Sequence, residues 1–321
     1  DGYPWGLWIA YDVNVGTAFA CGGYAMAVLI FIFNKFEYSP LLKPAILTSF
    51  MGYALAGFSI FFDIGRYWNM QNIFLPWHAN VHSAMFEVAL CIATYVLVLL
   101  IEAAPPFLQK FKLNDIENKL KKVLFIFVAL GMLLPTMHQS SLGSLMVLAG
   151  SKMSPLYWSQ ALPLFFLIAA LLLGYAIVIF ELLKKLSAII PWLVGAFLFI
   201  RFQDINARGA LDAMFAGDLA GTFFLLESIL LLVALFMLIP AKNRLNSRKV
   251  FWSAFCVLFG AGLYRFNAYI IGFNPGNGWH YFPTTPEIMI TFGIISIEIL
   301  VYVWAVKRAP ILAIPGKRSQ A

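Results

Sequence analysis

Nine stretches of roughly twenty residues carry almost no charge, and they leave few folds open to this chain. They run over 7–34, 44–62, 78–101, 122–137, 161–180, 186–200, 220–239, 250–264 and 287–306. About 20 mostly apolar residues in a helix cross a hydrocarbon core about 30 Å thick. Only 12% of the 321 residues are charged and 62% are hydrophobic, where an ordinary soluble domain is about a quarter charged. Lipid is therefore the solvent for most of the surface. The expected fold is an all-α polytopic membrane protein with one transmembrane domain over 1–321. A cytosolic enzyme, a disordered linker and a nucleic-acid-binding domain are excluded.

The connections assign an orientation, because Lys and Arg collect on the cytoplasmic side. Connections after the first, third, fifth and seventh spans, together with the C-terminal tail, hold 17 of the 22 Lys and Arg residues. They include the run Lys110, Lys112, Lys119, Lys121 and Lys122, the pairs Lys184 with Lys185 and Lys317 with Arg318, and the cluster Lys242, Arg244, Arg248 and Lys249. The net charge of +7 is thus a topology signal and calls for no nucleic acid. The C-terminus is expected in the cytoplasm of a bacterium whose inner membrane the chain spans. Nine spans put Asp1 outside, so a further span ahead of it is expected. The outer connections, over 66–77, 138–160, 201–219 and 265–286, are longer and richer in Gly, Pro, Trp and Tyr, as a docking surface would be.

An ionisable residue inside a span costs at least about 2.5 kcal/mol on insertion scales, so each asks for a reason. Most fall toward the outer side: Asp12, Asp63, Arg66, His78, His82, Glu87, His138, Arg201, Asp204, Asp218, Glu227 and Arg265. The inner half has Glu102 and Glu181 at span ends, within reach of water, and Glu298 inside the ninth span. Gly16, Ala20 and Gly23 follow Asp12 as a row of small residues that lets another helix approach. Asp63 and Arg66 are three apart and read first as a structural pair. Pro135 is expected to break the fourth span, with Ser140 and Ser141 satisfying the freed backbone. Arg201, Arg208 and Arg265 are expected in headgroup-level loops, and Glu227 and Glu298 in interhelical packing. Asp12, His78, Glu87 and His138 share a side and a broad depth, and at least two of them are expected to line one cavity.

Cys21, Cys91 and Cys256 lie in separate spans with no paired spacing, so the pattern offers neither an iron–sulfur cluster nor a structural zinc. No Walker loop or dinucleotide fingerprint occurs. A b-type haem would need two axial ligands, for which His78 or His82 with His138 is the available pairing. The reading preferred on sequence is no haem, iron–sulfur centre or metal in this chain.

Five ordered motifs carry a resemblance over nearly the whole length. They are 4–12 (PWGLWIAYD), 16–23 (GTAFACGG), 63–69 (DIGRYWN), 134–144 (LPTMHQSSLGS), and 273–276 (FNPG) before 281–283 (YFP). They resemble the polysulfide reductase NrfD-like integral membrane subunits, and within them the membrane subunits of hydrogenase-2-type nickel–iron hydrogenases. The resemblance implies a core of two four-helix bundles, about 1–150 and 155–310, and ten spans in the full chain. It also implies electron exchange with a quinone, most simply menaquinone, near the outer surface. Partners would be an extracytoplasmic ferredoxin-like [4Fe–4S] subunit and the large and small hydrogenase subunits.

Carried onto this sequence, the family's quinone site points to Asp12, Asp63, His78 and Glu87, with Arg66 and His138 inside family motifs. Reducing a quinone takes two electrons and two protons, so acids and an imidazole beside an apolar slot suit the chemistry. Asp12, Glu87 and His78 are the expected proton-handling groups, and Glu227 and Glu298 mark a path for proton translocation. The chain is thus expected to act in anaerobic respiration as the quinone-reactive anchor of a hydrogen:quinone oxidoreductase. The nearest alternative serves a sulfur-compound reductase or a cytochrome-linked complex. A secondary transporter is a more distant one, since it calls for polarity at the midplane.

Overall fold

The computed structural model describes residues 2–181, 185–276, 278–279 and 281–308. Lys184, Lys317 and Arg318 of the charge count lie outside the described residues, as does the side chain of Glu181. Nine long helices follow one another: α1 Trp8–Ile32, α2 Leu42–Asp63, α3 Ala84–Lys110, α4 Asn114–Ala149, α5 Leu162–Glu181, α6 Ile189–Ala207, α7 Leu219–Leu238, α8 Ser247–Tyr269 and α9 Thr285–Arg308. The chain is an all-α integral membrane protein. Among the described residues, eight helices are long and apolar enough to cross a membrane by composition. The remaining one, α8, is 23 residues long, about 34 Å at the helical rise. Residues of α8 are buried along its length, so its polar groups meet protein.

Helices α1 to α4 pack in sequence, as do α5 to α8, while α9 lies on α2. The two groups meet where α1 touches α5 and α8 and where α4 touches α5. Small residues set how closely they approach. A Cβ on Gly174 of α5 would stand 2.5 Å from the Cys21 carbonyl oxygen, and one on Gly52 of α2 would stand 2.6 Å from the Ala20 Cβ. The small-residue row of α1 therefore divides: Ala20 and Gly23 face α2, and Gly16 lines a cavity.

Several sequence-expected helix ends are wrong, for one shared reason. The reading ended the fourth span two residues past Pro135 and the sixth and eighth just before Arg201 and Arg265, whereas α4 passes through Pro135 to Ala149, α6 passes Arg201 to Ala207, and α8 passes Arg265 to Tyr269. Pro135 removes one N–H without breaking the helix, because neighbouring helices and side chains absorb such a loss. Ser140 and Ser141 both donate to the Met137 carbonyl, at 2.7 and 3.0 Å. Arg201 and Arg265 are 2% and 0% exposed, so neither sits in a headgroup-level loop. Glu102 is likewise inside α3, close to Gly131 of α4. Arg208 does lie at a helix end, paired with Asp204 at 2.7 Å and donating to the Pro155 carbonyl.

At the outer end, named for the poverty of Lys and Arg there, three segments interlock. Ser154 N–H donates to the Gly272 carbonyl at 2.7 Å, Asn274 N–H to that of Lys152 at 2.6 Å, and the Trp5 indole to that of Tyr269 at 2.8 Å.

Candidate functional site

A cavity of about 410 Å3 opens between α1, α2, α5 and α9. That volume lies within the usual range for small-molecule sites. Helix α1 contributes Tyr11, Asp12 and Gly16, α2 contributes Thr48 and Gly52, and α5 contributes Ile177 and Phe180. From α9 come residues between Ile294 and Tyr302, about 12 Å of helix, with Glu298 among them. Phe180 and Ile299 both line the cavity and are exposed, so it reaches the lipid-facing surface between α5 and α9. Asp12 is 5% exposed, Thr291 of α9 sits beside it, and its Oδ2 has no hydrogen-bond partner among the described residues. Glu298 Oε1 stands where Gly52 leaves room, 3.1 Å from the position a Cβ would take. The result is an apolar slot carrying an acid from each of two helices.

The sequence reading gathered Asp12, Asp63, His78 and Glu87 around one crevice, and the structure separates them. Only Asp12 lines the cavity. Asp63, at the end of α2, is half-buried, receives the Gly6 N–H and lies near Glu287. Arg66 is exposed and forms no ion pair with Asp63, because the three pairs among the described residues are Lys121–Glu117, Arg201–Glu227 and Arg208–Asp204. His78 and His82 are exposed on the stretch before α3, and Glu87 is half-buried in the first turn of α3. Helix α3 supplies nothing to the cavity, since it packs on the far side of α2 and against α4.

His138 belongs to a second polar centre, deep inside the first group of helices. Its Nδ1 donates to the Leu134 carbonyl at 2.7 Å, so Nε2 accepts from the Tyr53 hydroxyl at 2.7 Å. The Gln139 amide donates to Tyr53 at 3.0 Å and to Thr17 at 3.1 Å, and the Cys21 thiol lies 3.3 Å from the same hydroxyl. Sequence reading passed over Thr17, Tyr53 and Gln139. The available signal was a polar side chain inside each of two apolar spans, Thr17 and Tyr53, and Gln139 next to His138 in the 134–144 motif.

A third centre holds Glu227. Its Oε1 meets Arg201 at 2.6 Å, and its Oε2 accepts from Asn267 at 2.7 Å and from Tyr157 at 3.4 Å. The guanidinium lies 4.5 Å from the Phe224 ring and 4.4 Å from that of Tyr264. Arg265 fastens α8 to its neighbours, donating to the Asn14 carbonyl at 2.8 Å and to that of Phe166 at 2.9 Å.

Known proteins place these features. The chain is 43% identical over 97% of its length to "Probable Ni/Fe-hydrogenase 2 b-type cytochrome subunit" of Escherichia coli K12, covering 84% of that protein. It belongs to the NrfD-like family of integral membrane subunits, in the hydrogenase-2 branch. A protein of Nitratidesulfovibrio vulgaris Hildenborough is 30% identical over 97% of this chain and 86% of its own length. The "Menaquinone reductase, integral membrane subunit" of the same organism is 33% identical over 45% of this chain and 35% of its own. No family model matches the chain. As an NrfD-like subunit the protein is a membrane redox subunit of an oxidoreductase complex.

The Escherichia coli relative's name corrects one expectation. It describes a b-type cytochrome, which overturns the reading that this chain holds no haem. Two imidazoles that ligate one haem must each keep a ring nitrogen free and face one another. His138 has both nitrogens engaged, His78 and His82 are exposed outside the helices, and His280 lies outside the described residues. The described imidazoles therefore supply no facing free pair, and the steps derived below use the chain's own side chains.

Proposed function

We propose that this chain is the quinone-reactive subunit of a respiratory nickel–iron hydrogenase. Hydrogen is oxidised by partner subunits outside a bacterial cytoplasmic membrane, and an extracytoplasmic iron–sulfur subunit passes the electrons on. A quinone, on this reading menaquinone, takes them in the cleft between α1, α2, α5 and α9. The C-terminus faces the cytoplasm, and α1 to α4 and α5 to α8 form two four-helix bundles, with α9 laid against α2 of the first.

One observation carries the reading: a buried acid, Asp12, facing a slot of about 410 Å3 that reaches the lipid-facing surface. A lipid-soluble ring and tail fit such a slot. Each quinone reduced takes up two electrons and two protons. Asp12, buried beside Thr291 and facing the slot, is placed to hand one proton to a ring oxygen and be reloaded. Glu298, in the same slot and further along α9, supplies the second proton and lies on the route to the inner end. Glu227 stays outside this route, because Arg201 holds it.

The test uses the purified complex. Asp12→Asn lowers quinone-linked hydrogen oxidation about 100-fold, the low end for a lost general acid, and leaves dye-linked hydrogen oxidation unchanged. His78→Ala, outside the slot, changes quinone-linked turnover less than twofold. Equal quinone-linked rates in wild type and Asp12→Asn would discard the site, and co-purification with a sulfur-oxyanion reductase instead of a nickel–iron subunit would replace the donor.

A further inference from the structure

The inner end of the α3–α4 hairpin has a feature that the cleft does not use. Helix α4 is 36 residues long, about 54 Å, well beyond a hydrocarbon core of about 30 Å. Its first two turns and the end of α3 form a projecting tip that turns at Lys112, whose φ is +59°. Five lysines stand on this tip, Lys110, Lys112, Lys119, Lys121 and Lys122, and all five are exposed. Only Lys121 has an ion partner, Glu117. Phe111 and Ile116 are exposed among them, at 68% and 53%.

In the basic cluster between α7 and α8, two of the four cations are committed, while Lys242 and Arg248 are exposed. There Arg244 donates to the carbonyls of Leu238 and Ile239, and Lys249 donates to the Asn243 side chain. Those cations close helix ends, while the four other lysines of the α3–α4 tip make no such bond among the described residues. The pattern on α4 also departs from a plain solvated face. Ile116, Lys119, Val123 and Ile126 are exposed at three- and four-residue intervals, one apolar stripe with a single cation in it. A lysine so placed lays its stem along acyl chains and lifts its ammonium to the phosphates.

We propose that this hairpin tip is a binding site for anionic phospholipid. The ammonium groups of Lys112, Lys119 and Lys122 take the headgroup phosphates, and the exposed Phe111 and Ile116 lie among the headgroups beside them. Charge complementarity selects the lipid: the tip's five cations face two carboxylates, Asp115 and Glu117, one of them already committed to Lys121. Juxtamembrane lysines each contribute about 1 kcal/mol of attraction to an anionic surface, which is about fivefold in affinity. The site is independent of the cleft.

The experiment uses the purified complex in detergent, stripped of lipid and titrated with vesicles of phosphatidylcholine alone or containing one-fifth cardiolipin. Cardiolipin vesicles bind more tightly, and the preference shrinks as salt is raised. Changing Lys112, Lys119 and Lys122 together to Gln weakens cardiolipin binding about 100-fold, the same three changed to Arg retain it, and Lys249→Gln leaves it unchanged. Dye-linked hydrogen oxidation in every variant confirms an intact complex. Equal binding to both vesicle types, or full cardiolipin binding by the triple Gln variant, overturns the proposal. So does a tip that, in lipid-free detergent, retains a soluble acidic protein that cardiolipin fails to displace.

Discussion

Asp12 and Glu227 are both acids buried in apolar helices, and the structure gives them opposite surroundings. Glu227 is closed in by Arg201, Asn267 and Tyr157, with aromatic faces against the guanidinium. Asp12 meets a cavity, and among the described residues no cation pairs with it. Burial alone therefore says little about function. An acid whose charge is neutralised by a fixed neighbour holds helices together, while an acid facing space is available to whatever enters.

The contrast is broken most forcefully by Arg201→Ala. It strands Glu227 without its cation, so the complex is expected to lose about 3–5 kcal/mol of stability, seen as a large fall in thermal midpoint. Replacing the pair by apolar residues, Arg201→Met with Glu227→Leu, restores most of that loss and keeps quinone-linked turnover. A turnover collapse in the double variant would move Glu227 into the working site.

Next comes Gly52→Ala. Its Cβ would lie 2.6 Å from that of Ala20 and 3.1 Å from Glu298 Oε1, so overpacking of about 1–3 kcal/mol is expected. Because the same methyl enters the slot, the quinone KM should rise in the same variant. Tyr53→Phe is smaller, at about 1–2 kcal/mol, since it leaves His138 Nε2 and Gln139 without their shared hydroxyl. It should spare the quinone KM, because Tyr53 does not line the slot.

The smallest effect belongs to Tyr281, outside the spans. Burial pushes its hydroxyl up to about 12 from an ordinary 10; the Leu7 N–H opposes this and Glu287 adds to it. The folded state thus holds the proton more tightly than the unfolded chain. Its contribution to stability is complete below pH 10 and is lost as pH rises from about 10 to 12. Absorbance titration of wild type against Tyr281→Phe reads this directly, and a difference signal with its midpoint near pH 10 would refute the shift.

Much of the fold was legible because lipid imposes a simple rule: a span is long, apolar and helical. Five of the nine expected spans, the first, second, fifth, seventh and ninth, correspond to helices whose ends fall within two residues of those expected, and the third starts later and ends later, at Ala84 and Lys110. The fourth span was read too short at Pro135, and the sixth and eighth were cut near Arg201 and Arg265, because one sequence does not show that Asn14 and Phe166 wait for Arg265 or that Glu227 waits for Arg201. Asp12 was marked by its own cost of burial. His78 and Glu87 were grouped with it by depth alone, and depth carries no information about which side of α2 a residue occupies.

The order of residues is enough to establish a many-helix membrane protein whose connections carry most of their lysines and arginines on alternate sides, because hydrocarbon length and headgroup charge act on each segment separately. Which acids are spoken for emerges from the packed helices alone. Positions 201, 227 and 267 meet in one ion-pair centre, and positions 12, 52 and 298 meet in one slot. Such meetings depend on the packing of distant helices, where a missing Cβ or a carbonyl oxygen on one helix fixes what its neighbour can present.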